Sequence, residues 1–470
     1  MRKSAIRIVA FICILCIILC GINRVFKFKY GDGIYGLTKL YEQDRNSIDV
    51  LLLGSSHAFE AFNTGVLWDE QGIAAYTLSG STQPLWSTYY YLKEALKTQK
   101  PQLIVLEAFM VTEDYIDDYI IIKNNFGLKW SLDKLNSIRT SVPDERLSEF
   151  LLEYSQYHMR YKELSAADFM PDQNDKLYED WKGFGCNMLI TPLESMDVSH
   201  VEERKPIPDK NEEYYRKVIE LAKENDIPIA VVVSPYAEIN EEHQAMYNTA
   251  ADIASEYDVP FKNFNLYLDE MGIDFSTDAA DAAHLNYKGN QKYTSYFGEY
   301  LKDNFDITDR RGDSRYASWQ RGADYFRQLV YDQDMRGNSD INAMLGMLDN
   351  DAYRIMISVD GACNTSDENI RDLINNLGIT EEGVKGLWLK ENGEIIWSSG
   401  MCDAEKYITT QTHDFALRRV EATDSNYITV NNVTYEKPAN GITVVMFDTV
   451  TGKMADRFSI DMDQGYSLVR

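Results

Sequence analysis

From Ser47 to about Asn304, short apolar runs alternate with longer segments that are apolar on one face only. Ile48–Leu53 is broken only by Asp49, the pattern of a strand buried on both faces of a parallel sheet. Ala74–Leu78 and Leu103–Leu106 predict two more strands, and Ile227–Val233 a fourth that ends at Ser234-Pro235. Helical periodicity predicts helices over Pro84–Thr98, with Pro84 at the first helical position, Asn211–Glu224, Glu241–Tyr257 and Asn286–Phe305. Residues 130–165 read as a mostly helical insertion on one side of the sheet. Strands alternating with helices predict a doubly wound α/β layer.

The pattern changes after residue 307. Asp309-Arg310-Arg311-Gly312-Asp313-Ser314 is polar and charged, a helix follows near Trp319–Val330, and a polar stretch runs to Leu348. Residues 308–349 therefore read as a linker with a helix. Beyond it, Arg354–Val359 predicts a strand and Asp367–Leu377 a helix stopped by Gly378. Lys385–Leu389 and Glu394–Trp397 predict a hairpin around Asn392-Gly393. Thr429–Tyr435, Gly441–Asp448 and Met454–Ile460 predict further strands, with Thr451-Gly452 turning the last pair. This is a smaller α+β domain over residues 350–470. The chain contains no internal repeat.

The N-terminus belongs to another class. Ile8–Ile22 is an unbroken apolar run of 15 residues, or 18 from Ala5 with Arg7 snorkelling to the interface. Arg2, Lys3, Arg7, Arg24, Lys27 and Lys29 flank it, with no acid before residue 30. Ile18-Leu19-Cys20 makes a poor cleavage site, so residues 1–29 read as an uncleaved signal anchor with a span of about 5–22. The basic end stays in the cytoplasm, which puts residues 30–470 outside it. Cys13, Cys16 and Cys20 lie in the anchor, Cys186 is alone, and Cys363 and Cys402 form a candidate disulfide pair in an oxidising compartment.

Composition sharpens this division. The 470 residues carry a formal charge of −27, which divides into +6 before residue 30 and −33 after it. Nucleic-acid binding would need a basic face to displace counterions from phosphates, and so acidic a body argues against it. The same body also repels polyanionic polymers within a Debye length of roughly 8 Å. With 44% hydrophobic and 12% aromatic residues, the chain can bury sizeable cores.

Two short blocks carry chemistry. Gly54-Ser55-Ser56-His57 directly follows the first strand, where open α/β sheets bind ligands. Ser in such a loop is more often a helix cap. Asp281-Ala282-Ala283-His284 precedes the last helix, and its spacing lets Asp281 reach the His284 imidazole and fix its tautomer. Each block alone has a bland reading; together, at opposite ends of one α/β unit, they point to a Ser-His-Asp set.

At these residues the sequence resembles the SGNH (GDSL-type) hydrolases. That resemblance implies a flavodoxin-like three-layer α/β/α sandwich over residues 30–307. It makes Ser56 the nucleophile, with Ser55 in place of the family's acid, and matches Asp281 and His284 to the D-x-x-H block. It places Gly80, after the second strand, as an oxyanion donor beside the Ser56 amide. The family's third block, G-x-N-D, is replaced by Leu106-Glu107-Ala108-Phe109, which has no Asn. Gln83 is the candidate substitute, since its amide can donate as Asn does; its alternative is a polar cap near Pro84. The layout is similar to membrane-anchored SGNH proteins of teichoic-acid D-alanylation and alginate acetylation. The acidic body favours a neutral glycan over a teichoic acid.

Residues 350–470 resemble the ILEI/PANDER-like domain. Tyr353–Asp360, the helix ending at Gly378, and Gly441–Asp448 with its Thr451-Gly452 turn carry that resemblance. Domains of this kind can bind glycans, and Trp388 and Trp397 are candidate sugar platforms, though strand aromatics usually pack. The combined expectation is a membrane-anchored serine esterase or O-acyltransferase outside the cytoplasm. It would act on acyl, chiefly acetyl, groups of an envelope or exported glycan, with a membrane-bound O-acyltransferase as possible partner. The rival is an inactive glycan-binding scaffold. No cofactor and no metal is expected: no C-x-x-C is followed by further ligands, and P-loop and dinucleotide fingerprint are absent. Glu107 and the run Glu113–Asp118 could suggest a cation site, but match no EF-hand spacing and read as a solvated acidic face; His57, a rival base by position, reads as a pocket wall, and Tyr89-Tyr90-Tyr91 mostly as packing, with a sugar subsite as the alternative.

Overall fold

Fifteen apolar or small residues from Ile8 to Ile22, followed by no helix breaker, form one long helix, α1 (Arg2–Phe26). Its stretch Ile6–Phe26, 21 residues, is long and apolar enough to cross a membrane, and none of it is buried. The helix thus runs four residues past the expected end of the span. The computed structural model describes residues 2–27, 32–151, 156–162, 164, 166–169, 180–361, 368–379, 385–435, 437–465 and 467–470. Two compact units divide between Ala323 and Asp324.

In the first unit the chain runs α2 (Asp32–Glu42), β1 (Val50–Gly54), α3 (Ser56–Ala61), α4 (Thr64–Gln71), β2 (Ala75–Ser79), α5 (Leu85–Ala95) and β3 (Leu103–Glu107). It continues through α6 (Asp118–Asn125), α7 (Leu132–Ser141), α8 (Asp209–Glu224), β4 (Ile229–Val233), α9 (Glu241–Glu256), β5 (Phe261–Asn263) and α10 (Tyr287–Asn304). The strands form one parallel sheet in the order β2-β1-β3-β4-β5.

Every residue of β1 to β4 is buried, as their apolar runs require. Val50 and Leu52 face one core with Phe62, Leu67 and Phe297 from the α3, α4 and α10 side. Leu51 and Leu53 face the other, with Trp86, Tyr91, Tyr215 and Tyr247. Burying each such side chain contributes about 1.5–3 kcal/mol. A mixed α/β unit with helices on both sheet faces results. Tyr90 and Tyr91 are buried in it, as packing predicts.

Several details differ from expectation. Pro84 is the cap of α5 and stays extended, with ψ 152°, so Leu85 is the first helical residue. The fifth strand, β5, was not expected: Phe261-Lys262-Asn263 is short and only partly buried. Of the insertion, α7 and short turns such as Leu147–Leu151 are helical, while residues 152–155, 163 and 165 lie outside the described residues. The expected linker is not a spacer. Arg310 pairs with buried Asp49 at 2.7 and 2.8 Å, and the Trp319 indole donates to the Ala75 carbonyl at 2.8 Å. Residues 308–323 therefore belong to the parallel-sheet unit, and the division falls inside α11 (Ala317–Gly337).

The second unit adds α12 (Ile341–Met347), within the supposed polar stretch, then β6 (Tyr353–Asp360), α13 (Glu368–Asn376), β7 (Gly386–Glu391) and β8 (Glu394–Ser398). It closes with β9 (Ala404–Thr409), β10 (Asp414–Val420), β11 (Ser425–Val430), β12 (Val433–Thr434), β13 (Gly441–Asp448), β14 (Lys453–Asp461) and β15 (Ser467–Val469). Two antiparallel sheets form, in the orders β15-β14-β13-β6-β7-β8 and β12-β11-β10-β9. The period-2 alternation of β6 sends Ile355, Ile357 and Val359 to a core with α12 and α13, and Met356 to a core with the smaller sheet. The expected strand Thr429–Tyr435 is split, because Asn431 and Asn432 both take positive φ in a tight turn. Trp388 is 4% exposed and belongs to the core, which removes it as a sugar platform; Trp397 is half-buried. Cys363 lies outside the described residues, so its pairing with exposed Cys402 does too.

Candidate active site

Gly54 ends β1 where two side chains crowd the backbone. A Cβ at this position would sit 2.8 Å from the Glu107 Cβ and 2.9 Å from the Ala58 Cβ, at a φ of +156°. Only glycine lets the chain turn this tightly from strand into α3. Ser55 is buried, and its Oγ has no partner. Ser56, the first residue of α3, is half-buried and turns its Oγ towards the last loop of the unit. Of the two serines, Ser56 is the one whose hydroxyl meets His284.

That loop is built by its own acids. Buried Asp278 accepts from the Asp274 amide and pairs with Lys292 at 2.6 Å. Asn286 caps α10 and donates to the carbonyls of Thr277 and Ala279. Between them Asp281 accepts from the amides of Ala283 and His284 at 2.9 and 3.0 Å. Its two oxygens lie 2.9 and 3.0 Å from His284 Nδ1, and His284 Nε2 lies 2.8 Å from Ser56 Oγ. With the ring proton on Nδ1, the imidazole donates to Asp281 and accepts from the serine hydroxyl. Partial burial works against ionising Asp281, but the imidazole and the two amides outweigh it and hold its carboxyl below the usual range.

His57 is 3% exposed and stacks on Phe109 with ring centroids 3.6 Å apart. Tyr236 meets it edge-on at 5.1 Å, and the His284 ring is 5.3 Å away. Burial first, then the neighbouring His284 and His243, push its pKa well below the ordinary value, so it is neutral. This is a wall beside the pair, as expected, and it has no contact of the kind a general base needs.

The expected oxyanion donors are placed unequally. Ser79 pairs in register with Gly54, so Gly80 stands beside the Ser55-Ser56 turn. A Cβ there would clash with Asn124 Oδ1 and meet the Gly33 backbone at 3.1 Å, so the position is closed to any side chain. Thr82, two residues on, takes φ +48°, a strained value for a β-branched residue. Gln83 is fully buried, but its Nε2 donates to Thr88 Oγ1 at 2.9 Å. It braces the first turn of α5 without capping it, since its Oε1, the atom that would accept from a helix amide, has no partner.

Two further residues shape the site. Asn124 on α6 donates to the Ser81 carbonyl at 3.2 Å and so holds the 80–82 loop; nothing local in the sequence marks it. Glu107 is not part of a solvated face. It is 0% exposed at the end of β3, and accepts from the Phe109 amide at 3.2–3.3 Å and the Ser234 amide at 3.3 Å. Burial pushes its carboxyl up to about 8, against the pull of those amides. An acid closing an all-apolar strand was its available signal. The acidic run beyond it does stay at the surface, with Asp118 paired to Arg146 at 2.8 Å.

Ser55 Oγ, His57 Nε2, Ser79 Oγ, Gln83 Oε1 and Asn124 Oδ1 are all buried without partners. Unmet hydrogen-bonding capacity thus gathers at the C-terminal ends of β1 and β2, where native structures rarely leave any. Among the described residues, no group of three or more His, Cys, Asp or Glu side chains is placed to hold a metal ion. No protein-family model matches the chain, and no curated protein matches it significantly.

Proposed function

We propose that the chain is a membrane-anchored serine esterase or O-acyltransferase of the SGNH type, with a flavodoxin-like first unit. The observation that carries this reading is the continuous Ser56–His284–Asp281 hydrogen-bond relay between residues 228 positions apart in sequence. The strand order β2-β1-β3-β4-β5 supports it, with Ser56 at the carboxyl end of β1 beside the switch in order.

In this mechanism Ser56 Oγ attacks the ester carbonyl carbon as His284 Nε2 takes its proton. The Ser56 and Gly80 amides face the oxygen as it becomes an oxyanion. Collapse breaks the bond to the alcohol, which leaves with the proton from His284. Water or a sugar hydroxyl then gives its proton to Nε2 and attacks the acyl carbonyl; the bond to Ser56 Oγ breaks, and Oγ takes that proton back from Nε2. Asp281 keeps the imidazole in the working tautomer and stabilises its charged form. Water as acceptor makes an esterase; a sugar hydroxyl makes a transferase.

The −33 body favours acyl, chiefly acetyl, groups on a neutral glycan outside the cytoplasm. The second unit would act as an ILEI/PANDER-like glycan-binding module, and a membrane-bound O-acyltransferase would supply acyl groups. The second reading is an inactive scaffold. The third-block Asn is missing and Gln83 is engaged with Thr88, which favours that reading.

Fluorophosphonate labelling of the full chain separates the two. The active reading expects labelling that Ser56→Ala abolishes, and Asp281→Asn slowed about 100-fold or more through the wrong tautomer. A wild-type chain that neither labels nor releases acetate from an aryl acetate leaves only the scaffold.

A further inference from the structure

Residues Ile6–Phe26 of α1 number 21. At 1.5 Å per residue they extend about 31 Å, the thickness of a bilayer's hydrocarbon core. With this stretch in a membrane, Phe26 and Lys27 lie at headgroup level, and so does whatever is fastened around them.

One segment is fastened there and a second lies beside it. Arg160 donates to the carbonyls of Phe26 and Lys27, each at 2.8 Å, and pairs with Asp168 at 2.8 Å. A guanidinium on the last carbonyls of a helix satisfies groups that have no partner within it. This holds the chain around Tyr161 and Phe169 against the end of α1. From another side, Lys129 and Trp130 line a cavity of about 320 Å³ together with Asn23 and Lys27. Buried Lys134 shapes that loop by donating to the carbonyls of Phe126 and Leu128 at 3.3 and 2.8 Å. The large side chains these segments carry are unburied: Trp130 and Tyr161 are 60% exposed, Phe169 62% and Leu132 76%.

We propose that Trp130, Leu132, Tyr161 and Phe169, with Lys27 and Lys129 among them, form a collar that inserts into the headgroup layer of the membrane crossed by α1. Trp and Tyr prefer this layer, where an apolar ring and a polar edge are both satisfied. The two ammonium groups suit lipid phosphates. The first unit then rests on the bilayer in a fixed orientation instead of swinging on a tether. The inference rests on α1 spanning the membrane and is independent of the active-site reading.

The tryptophans make this measurable. Of the seven in the chain, Trp68, Trp86, Trp181, Trp319 and Trp388 are buried and Trp397 is half-buried. Trp130 alone is largely open. The full chain is reconstituted into phosphatidylcholine vesicles containing about one-third phosphatidylglycerol, with bromines placed either near the headgroups or near the tail ends. Wild type and Trp130→Phe both float with the vesicles, because α1 is intact. Headgroup-proximal bromines quench wild-type emission, tail-end bromines quench it less, and Trp130→Phe loses at least about half of the quenching. Equal quenching of the two proteins, or a floating wild type that is not quenched, overturns the collar. Failure to float overturns the membrane span itself, and the collar with it.

Discussion

Glu107 gives the sharpest quantitative test of how the site is built. The carboxyl is fully buried beneath the Gly54 turn, and its pKa is pushed from 4.5 to about 8. A difference near 3.5 units corresponds to roughly 5 kcal/mol between the protonated and ionised folded states. The folded value is raised, so the unfolded chain releases its proton first. The stabilisation is therefore complete below about pH 4.5 and declines as pH rises to about 8, by up to roughly 1.4 kcal/mol per unit. Glu107→Gln keeps an acceptor for the Phe109 and Ser234 amides and cannot ionise. Urea unfolding of the full chain, followed by tryptophan emission across this range, should find the two proteins equal near pH 4.5. Above about pH 8 the variant should be more stable by roughly 3–5 kcal/mol. Fluorophosphonate labelling of Ser56 should fall above that pH in wild type and persist in the variant, since a buried charge under Gly54 disturbs the turn. Stability curves that run parallel across the whole range would refute the reasoning.

Two further outcomes follow from the geometry. Gly54→Ala places a methyl group 2.8 and 2.9 Å from two Cβ atoms, so it should destabilise by about 2–3 kcal/mol and abolish Ser56 labelling; thermal melts and labelling check both. In the second unit, buried Asp332 accepts from Tyr353 at 2.6 Å and lies beside Asp448; burial and that second carboxyl raise its pKa well above the usual range. Stability of this unit should therefore fall as pH rises from the usual carboxylate range towards neutrality. Asp332→Asn should flatten that fall and gain on the order of 2 kcal/mol at neutral pH, read by urea unfolding of the full chain.

The central strands were legible because burial on both faces demands unbroken apolar runs, and Ile48–Leu53 and Leu103–Leu106 provide them. β5 was not, because at the sheet edge Phe261-Lys262-Asn263 needs no such run. β9 and β10, with one face open, alternate too weakly against their charged neighbours to stand out. Asn431-Asn432 is a turn signal inside an otherwise strand-like run, and both residues take positive φ. At the site, Ser56, His284 and Asp281 were legible through short blocks with fixed local spacing. Glu107, Asn124 and the engagement of Gln83 with Thr88 depend on contacts between distant segments or on side-chain direction, which no spacing encodes.

The distance along the chain between Ser56 and His284 has a temporal meaning. At synthesis rates of about 5–20 residues per second, the serine is made roughly 10–50 s before its histidine. The strands and helices that seat the histidine loop are made in that interval. A nascent or truncated chain carries a serine hydroxyl without its histidine partner, because His284 is supplied by the last loop of the unit. On the proposed reading, Ser56 is armed as a nucleophile only by completion of the fold, and an unfinished chain is harmless to ester bonds it meets on the way.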